Sequence, residues 1–166
     1  APAPVKNAHG TPLLVLYGSN LGTAEGIARD LAETGRQQGF SAEVAPLNDY
    51  VNELPQDGAV LIVSASYNGN PPDNADEFVQ WLNEMEDGAV NGVHYAVFGC
   101  GDRNWANTYQ RIPSLIDEQL SKKGAQRISE TGDGDASDDF EGDYEKWEAT
   151  LWPNLAEAMN IELNEN

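Results

Sequence analysis

Cysteine, histidine, positive charge and long apolar runs are all scarce in this sequence of 166 residues. Cys100 is the single cysteine, which excludes a disulfide within the chain and suits a reducing compartment, so we expect a cytoplasmic protein. No group of His, Cys and Asp residues has the spacing of metal ligands, and we expect no metal site. No apolar run approaches the ~18 residues of a membrane-spanning helix, and none has the form of a signal peptide.

Positive charge is outnumbered, with nine Lys and Arg against 28 Asp and Glu and a net charge of −19 at pH 7. The negative electrostatic field of such a charge repels phosphodiester backbones and anionic lipid, so neither nucleic acid nor membrane is an expected partner. Two interpretations stay open. The charge either serves solubility or steers the chain toward a basic protein surface.

The chain begins Ala1-Pro2-Ala3-Pro4 without a methionine, which looks like a linker between domains, although processing would give the same start. We therefore predict an interdomain linker over residues 1–11 and one domain over residues 12–160. Residues 161–166 are predicted to begin a second linker.

Short apolar runs and helical periodicities alternate along the chain and predict five strands and four helices. The strands are predicted at residues 13–17, 42–45, 59–63, 93–98 and 125–129. The apolar positions at helical spacing are Ala24, Ile27, Ala28, Leu31 and Ala32; Ala75, Phe78, Val79, Leu82 and Met85; Ile112, Leu115, Ile116 and Leu120; Tyr144, Trp147, Leu151 and Leu155. Asn74 and Glu77 have the spacing of a capping box, and an acidic loop is predicted over Asp133 to Glu141.

This alternation predicts an α/β fold with a doubly wound, five-stranded parallel sheet and right-handed crossovers. The strand order 2-1-3-4-5 is one of the two common forms of such a sheet. Ligands bind outside the carboxyl ends of the strands, at the switch between strands 1 and 3. The loops after strands 1, 3 and 4 are therefore the candidate site.

The first loop, Gly18 to Ala24, leads from a buried strand into a helix and is rich in small and hydroxyl residues. Unpaired amides and the helix dipole favour an anion at such a helix start. The loop lacks the G-x-x-x-x-G-K-[ST] and G-x-G-x-x-G patterns, which favours a single terminal phosphate over a nucleoside triphosphate or a dinucleotide. A tight turn with a Ser or Thr cap explains the loop equally well when it is considered alone.

Aromatic residues occupy the other two loops. Tyr67 follows the third strand, and Trp105 lies in the loop that follows the fourth. A single loop aromatic is usually packing, but two of them beside a phosphate loop can sandwich a planar heterocycle.

The motifs Ser19-Asn20-Leu21-Gly22-Thr23-Ala24, Ala65-Ser66-Tyr67-Asn68-Gly69, Phe98-Gly99-Cys100-Gly101-Asp102 and Asn104-Trp105 resemble the FMN-binding, flavodoxin-like domains of diflavin reductases. The resemblance covers about residues 11 to 160. Residues 67–74 and 135–142 resemble one branch in particular, the self-sufficient bacterial fatty-acid hydroxylases, in which a cytochrome P-450 haem domain is fused to its reductase.

The resemblance implies that this domain binds FMN, with FAD, NADPH and haem on the fused domains. It implies that residues 19–24 hold the phosphate, that Tyr67 and Trp105 stack on the isoalloxazine, and that the remaining residues line the ring edge and the ribityl chain. The complete predicted set is Ser19, Asn20, Leu21, Gly22, Thr23, Ala24, Ser66, Tyr67, Asn68, Gly69, Cys100, Gly101, Asp102, Asn104, Trp105, Thr108, Tyr109 and Gln110. The implied partners are the haem P-450 domain and the FAD/NADPH reductase domain, on the same polypeptide.

The loop after Tyr67 is shorter than in the microsomal-type reductases and holds two prolines. We hypothesise that the backbone of residues 67–69 contacts flavin N5 and that Pro71 and Pro72 limit peptide movement there. Acidic side chains near the ring are expected to lower the potential of its fully reduced state.

Other functions fit the sequence less well. Neither His9 nor His94 offers a convincing partner for Cys100, so a catalytic thiol is not expected, and no catalytic residue is assigned. A free-standing flavodoxin is the nearest alternative function, and a flavin-dependent quinone reductase is a more distant one. A signalling receiver needs acidic residues at the end of strand 1, where this chain has Tyr17-Gly18-Ser19.

Overall fold

A computed structural model describes residues 10–18, 22–65, 73–101, 111–135 and 138–161. Within these ranges strands and helices alternate as predicted. Their bounds are β1 (Pro12–Gly18), α1 (Thr23–Gln37), β2 (Ser41–Pro46), β3 (Ala59–Ala65), α2 (Asp76–Glu84), β4 (His94–Gly101), α3 (Arg111–Lys122), β5 (Gln126–Arg127), β6 (Gly132–Asp135) and α4 (Phe140–Met159). A 3₁₀ turn, Leu47–Tyr50, lies between β2 and β3.

All strand pairs form one parallel sheet in the order β2-β1-β3-β4-β5, with β6 also paired to β4. The predicted order 2-1-3-4-5 is confirmed. The strands β1, β3 and β4 are apolar and buried on both faces, as expected for central strands of a parallel sheet.

The prediction for the fifth strand was partly wrong. β5 covers only Gln126–Arg127, and the strand position continues as β6, Gly132–Asp135, where an acidic loop was predicted. Asp and Gly are poor strand formers, so the local pattern favours a loop. Pairing of β6 with Phe98–Gly101 of β4 overrides that preference, because the buried backbone needs hydrogen-bond partners.

The core has two halves, one on each face of the sheet. Successive side chains of β1 point to opposite faces of the sheet. Leu13 and Val15 pack with α1 and α4, whereas Leu14 and Leu16 pack on the α2 and α3 side. The apolar helix positions predicted from the sequence face these halves, with Ile27, Leu115 and Tyr144 only partly buried.

The predicted capping box at α2 was wrong. The residue at the cap position is Ala75, which makes no side-chain capping bond. Instead Asn48, from the 3₁₀ turn, accepts a hydrogen bond from the Phe78 amide at 3.0 Å through its side-chain oxygen. A residue distant in sequence thus takes the capping role that was predicted for Asn74.

Candidate cofactor site

The carboxyl ends of four strands meet at one edge of the sheet. Register places Gly18 of β1 beside Ser64 of β3, Ala65 of β3 beside Cys100 of β4, and Gly101 of β4 beside Asp135 of β6. The three loops predicted to carry the site follow β1, β3 and β4. This edge contains the switch between β1 and β3, where doubly wound sheets bind ligands.

Five of the predicted site residues are described by the structure, namely Gly22, Thr23, Ala24, Cys100 and Gly101. The other thirteen lie outside the described residues: Ser19, Asn20, Leu21, Ser66, Tyr67, Asn68, Gly69, Asp102, Asn104, Trp105, Thr108, Tyr109 and Gln110. The predicted stacking of Tyr67 and Trp105 on the ring therefore stays a prediction.

The start of α1 fits a phosphate. Gly22 stands at the cap position with φ of 91°, a left-handed conformation that glycine adopts without strain, and it has no side chain with which to cap the helix. Among the residues that the structure describes, no atom lies within 4 Å of a Cβ atom added at this position. The first-turn amides of a helix lack partners within the helix, and its dipole favours an anion there. Glu25, the acidic residue of this turn, is paired with Arg29 at 2.7 Å, which offsets its charge.

Close packing joins the ends of β1 and β3. A Cβ atom at Gly18 would lie 2.9 Å from Ser64 Oγ and 3.0 Å from Ala75 Cβ, so a larger residue would displace these neighbours. Glycine at this position allows the strand before the phosphate loop to approach β3 closely.

Cys100 lies next to the last residue of β4 and is buried. Burial raises the pKa of its thiol to about 12, so the sulfur stays protonated and neutral at physiological pH. A protonated thiol is a poor nucleophile. The buried, protonated thiol agrees with the expectation that Cys100 is not a catalytic nucleophile.

The burial of an acidic residue at this edge was not predicted from the sequence. Asp135 ends β6 with only 4% of its surface exposed, and its backbone amide donates to Asp143 Oδ2 at 3.0 Å. Asp139 caps α4 by accepting from the Gly142 amide at 3.1 Å. Considered by itself, the run of acidic residues from Asp133 to Glu141 is typical of a solvent-exposed loop. The alternating Gly132 and Gly134 were the available signal of a closely packed strand.

Aromatic rings support the ends of β4 and β6 from the α4 side. The Phe98 ring lies 5.8 Å from Phe140, 5.4 Å from Tyr144 and 5.2 Å from Trp147, measured between centroids. Burial, with Glu148 and Asp30 nearby, raises the pKa of Tyr144, which keeps its hydroxyl neutral. The predicted packing role of Tyr144 and Trp147 agrees with this cluster.

Two absences apply to the described ranges only. No helix in them is long and apolar enough to cross a membrane. Nor do they contain a group of three or more His, Cys, Asp or Glu residues arranged to hold a metal ion.

The family model for flavodoxin matches residues 15–147, and the chain belongs to the flavodoxin family. Membership confirms FMN as the cofactor expected from the sequence. Among solved structures, a cysteine-to-alanine mutant of flavodoxin from Pseudomonas aeruginosa is similar, with a TM-score of 0.73 and 26% identity. That match covers 87% of this chain and 98% of the flavodoxin.

Curated relatives identify the branch. Bifunctional cytochrome P450/NADPH–P450 reductase 2 of Bacillus subtilis (strain 168) is 61% identical over 160 residues, which are 96% of this chain and 15% of that protein. Reductase 1 of the same organism is 56% identical over 164 residues, 99% of this chain and 16% of that protein. The chain thus spans about a sixth of these relatives and is homologous to their flavodoxin-like part.

Proposed function

We propose that this chain is the FMN-binding domain through which single electrons pass from an NADPH-linked FAD domain to a cytochrome P-450 haem domain on the same polypeptide. The attached oxygenase would hydroxylate fatty acids. The glycine at the start of α1, beside the β1/β3 switch, supports the proposal, together with relatives whose names combine a P450 with its NADPH reductase.

FMN would supply one-electron redox chemistry, and the protein would bind and orient it. First-turn amides of α1 and residues 19–24 would hold the phosphate. The loops that begin after Ala65 and Gly101 would hold the ring, with Tyr67 and Trp105 on its two faces. The division into linkers at residues 1–11 and 161–166, and the cytoplasmic location, stay predictions.

Charge along the helices favours a basic partner at the carboxyl edge. The first turns of α2 and α4, which follow strand ends at that edge, carry Asp76, Glu77, Glu141 and Asp143, whereas Glu25 in the first turn of α1 is paired with Arg29. The last turns of α1 and α3 carry Arg36 and Lys122 instead. This asymmetry complements the helix dipoles and would orient the flavin edge toward a basic surface, which raises association rates.

The absorption spectrum of the purified chain tests the cofactor. We expect flavin bands and release of FMN on acid treatment. A chain that purifies without flavin and does not bind added FMN would refute the proposal.

Mixing with NADPH and a quinone separates an electron-transfer domain from a quinone reductase. We expect no turnover until an FAD-containing NADPH reductase is added, and reduction of the haem domain of a P450 relative once it is present. Rapid NADPH-dependent quinone reduction by the chain alone would favour the quinone-reductase function.

Matched charge variants test whether the acidic residues at the carboxyl edge of the sheet dock a basic partner. The pair Glu141→Gln and Glu145→Gln should slow electron transfer to the haem domain several-fold at low salt and less at high salt. The pair Glu84→Gln and Glu86→Gln changes net charge equally at the far end of α2, and it should have little effect. Equal effects of both pairs would favour a general charge effect over a docking surface.

A further inference from the structure

Ser64 lies one residue before the end of β3 and is completely buried, with 0% of its surface exposed. Its hydroxyl donates a hydrogen bond to the carbonyl oxygen of Ala65 at 3.1 Å. We propose that Ser64 is a positioning residue that holds the Ala65 carbonyl, and with it the point where the chain leaves β3 for the predicted ring loop. This inference rests on the proposed function.

The sheet register places Ser64 between two glycines. Gly18 of β1 pairs with it on one side and Gly99 of β4 on the other. Since neither glycine has a side chain, Ser64 supplies the side chain at the point where the three strands that precede the predicted cofactor loops lie side by side. A change at Ser64 is therefore made beside β1 and β4 as well as within β3.

The Ser64 side chain lies against the tightly packed end of β1. A Cβ atom at Gly18 would lie 2.9 Å from Ser64 Oγ, and the same point is 3.0 Å from Ala75 Cβ and 3.2 Å from Leu47 Cδ1. Ala75 and Leu47 are fully buried apolar residues that offer no side-chain acceptor. The hydrogen bond to the Ala65 carbonyl therefore satisfies a donor that is completely shielded from water.

Planarity of the peptide bond carries the effect forward. The Ala65 carbonyl and the amide N–H of residue 66 belong to one planar unit, so holding the carbonyl also sets the direction of that N–H. The predicted ring loop begins at Ser66. A bond made at the end of β3 therefore fixes the peptide unit from which the predicted ring loop starts.

The competing explanation is that Ser64 only fills space and satisfies its own hydroxyl. Ser129 allows a matched comparison, because it is also buried and its hydroxyl oxygen accepts a hydrogen bond from Asn154 Nδ2 at 3.2 Å. Ser129 lies between β5 and β6, away from the ends of β1 and β3. Loss of its hydroxyl removes a buried polar group without touching the proposed site.

The experiment compares the unsubstituted chain with Ser64→Ala, Ser64→Thr and Ser129→Ala. FMN dissociation constants come from flavin fluorescence, one-electron potentials from anaerobic titration, and stability from urea unfolding of the apo chain. Ser64→Ala should bind FMN roughly three- to tenfold more weakly, the effect of one ordinary hydrogen bond. A tenfold difference between the losses for the oxidised and reduced flavin would move the potential by about 59 mV.

Ser64→Thr keeps the hydroxyl and should restore affinity and potentials toward those of the unsubstituted chain. Should the added methyl group prevent folding, Ser64→Cys replaces it as a weak donor and should give intermediate values. Ser129→Ala should lose stability but keep the affinity and the potentials unchanged.

Failure of the inference and failure of the proposed function give different results. An unsubstituted chain that does not bind FMN refutes the proposed function. A chain that binds FMN while Ser64→Ala matches it in affinity and potentials overturns the role of Ser64 alone. Equal weakening by Ser64→Ala and Ser129→Ala also overturns it, because binding would then follow stability only.

Discussion

The side chain of Asn48 is hydrogen-bonded to the first turn of α2, at Phe78, thirty residues further along the chain. Its Oδ1 accepts from the Phe78 amide at 3.0 Å, while its Nδ2 donates to Asp76 Oδ1 at 2.9 Å and to the Asp73 carbonyl at 3.1 Å. The Asn48 amide in turn donates to the Asn74 carbonyl at 2.9 Å. The 3₁₀ turn and the helix that follows the predicted ring loop are thus held together by one residue.

Replacing Asn48 by alanine should therefore destabilise the chain by about 1–2 kcal/mol, because the Phe78 amide loses its cap and Asp76 loses a donor. Urea unfolding of the apo chain measures the loss. Asn83→Ala is the control, since Asn83 is an exposed residue of the same helix and should change stability by less than about 0.5 kcal/mol. Equal stabilities for the two variants would show that the Asn48 bonds contribute nothing net.

Gly134→Ala should be destabilising by about 1–3 kcal/mol, because the new Cβ would lie 2.6 Å from Phe140 Cε2 and 2.7 Å from Phe98 Cζ. Gly26→Ala is the matched substitution in open space, with nothing within 4 Å of the added atom in α1. It should stabilise the chain by roughly 0.5–1 kcal/mol through helix propensity. Thermal unfolding midpoints that move in the same direction for both variants would contradict the packing around β6.

Cys100 should resist alkylation in the folded chain. Burial raises the pKa of its thiol from 9.0 to about 12, so iodoacetamide at pH 9 should modify it far more slowly in buffer than in denaturing urea, as mass spectrometry can show. Because the folded pKa is raised, the thiol supports folding below pH 9, and this contribution is lost as pH rises from 9 to 12. The apo Cys100→Ala variant should lose less stability over that range. Rapid modification at pH 9 in the folded state would refute the burial of the thiol.

Asp117 should matter for stability and not for FMN binding. The buried Tyr95 hydroxyl donates to its Oδ1 at 2.6 Å, and Arg127 binds the carboxylate through two nitrogens at 2.8 and 2.7 Å. Asp117→Ala should cost about 1–2 kcal/mol, because Arg127 loses its carboxylate partner and the buried Tyr95 hydroxyl keeps only the carbonyl oxygen of residue 117, at 3.0 Å, as acceptor.

The FMN affinity of Asp117→Ala should stay unchanged, since Tyr95 lies at the amino end of β4, opposite the cofactor edge. Glu118→Ala, at the exposed neighbouring position, serves as the control for stability. A large loss of FMN affinity in Asp117→Ala, without unfolding, would contradict the separation of the two edges.

Local patterns in the sequence determined most of the fold. The apolar runs of β1, β3 and β4 and the apolar faces of four helices are short-range signals, so strand, helix and burial followed from them directly. The parallel arrangement then brought the loops after Gly18, Ala65 and Gly101 to one edge, because parallel strands end on the same side. Most residues of those loops, and the stacking of Tyr67 and Trp105, rest on resemblance and await the experiments above.

Tertiary structure alone decided the cap of α2, the strand β6 and the burial of Asp135. Asn48 and Phe78 are separated by a complete strand, and nothing near either residue in sequence indicates their hydrogen bond. The residues of β6 favour a loop when considered alone, and they form a strand because Phe98–Gly101 offer hydrogen bonds and the rings of α4 need glycine beneath them. The cap of α2 and the strand β6 both depend on hydrogen bonds between segments that are distant in sequence. Hydrogen bonds of this kind leave no periodic signal in the sequence.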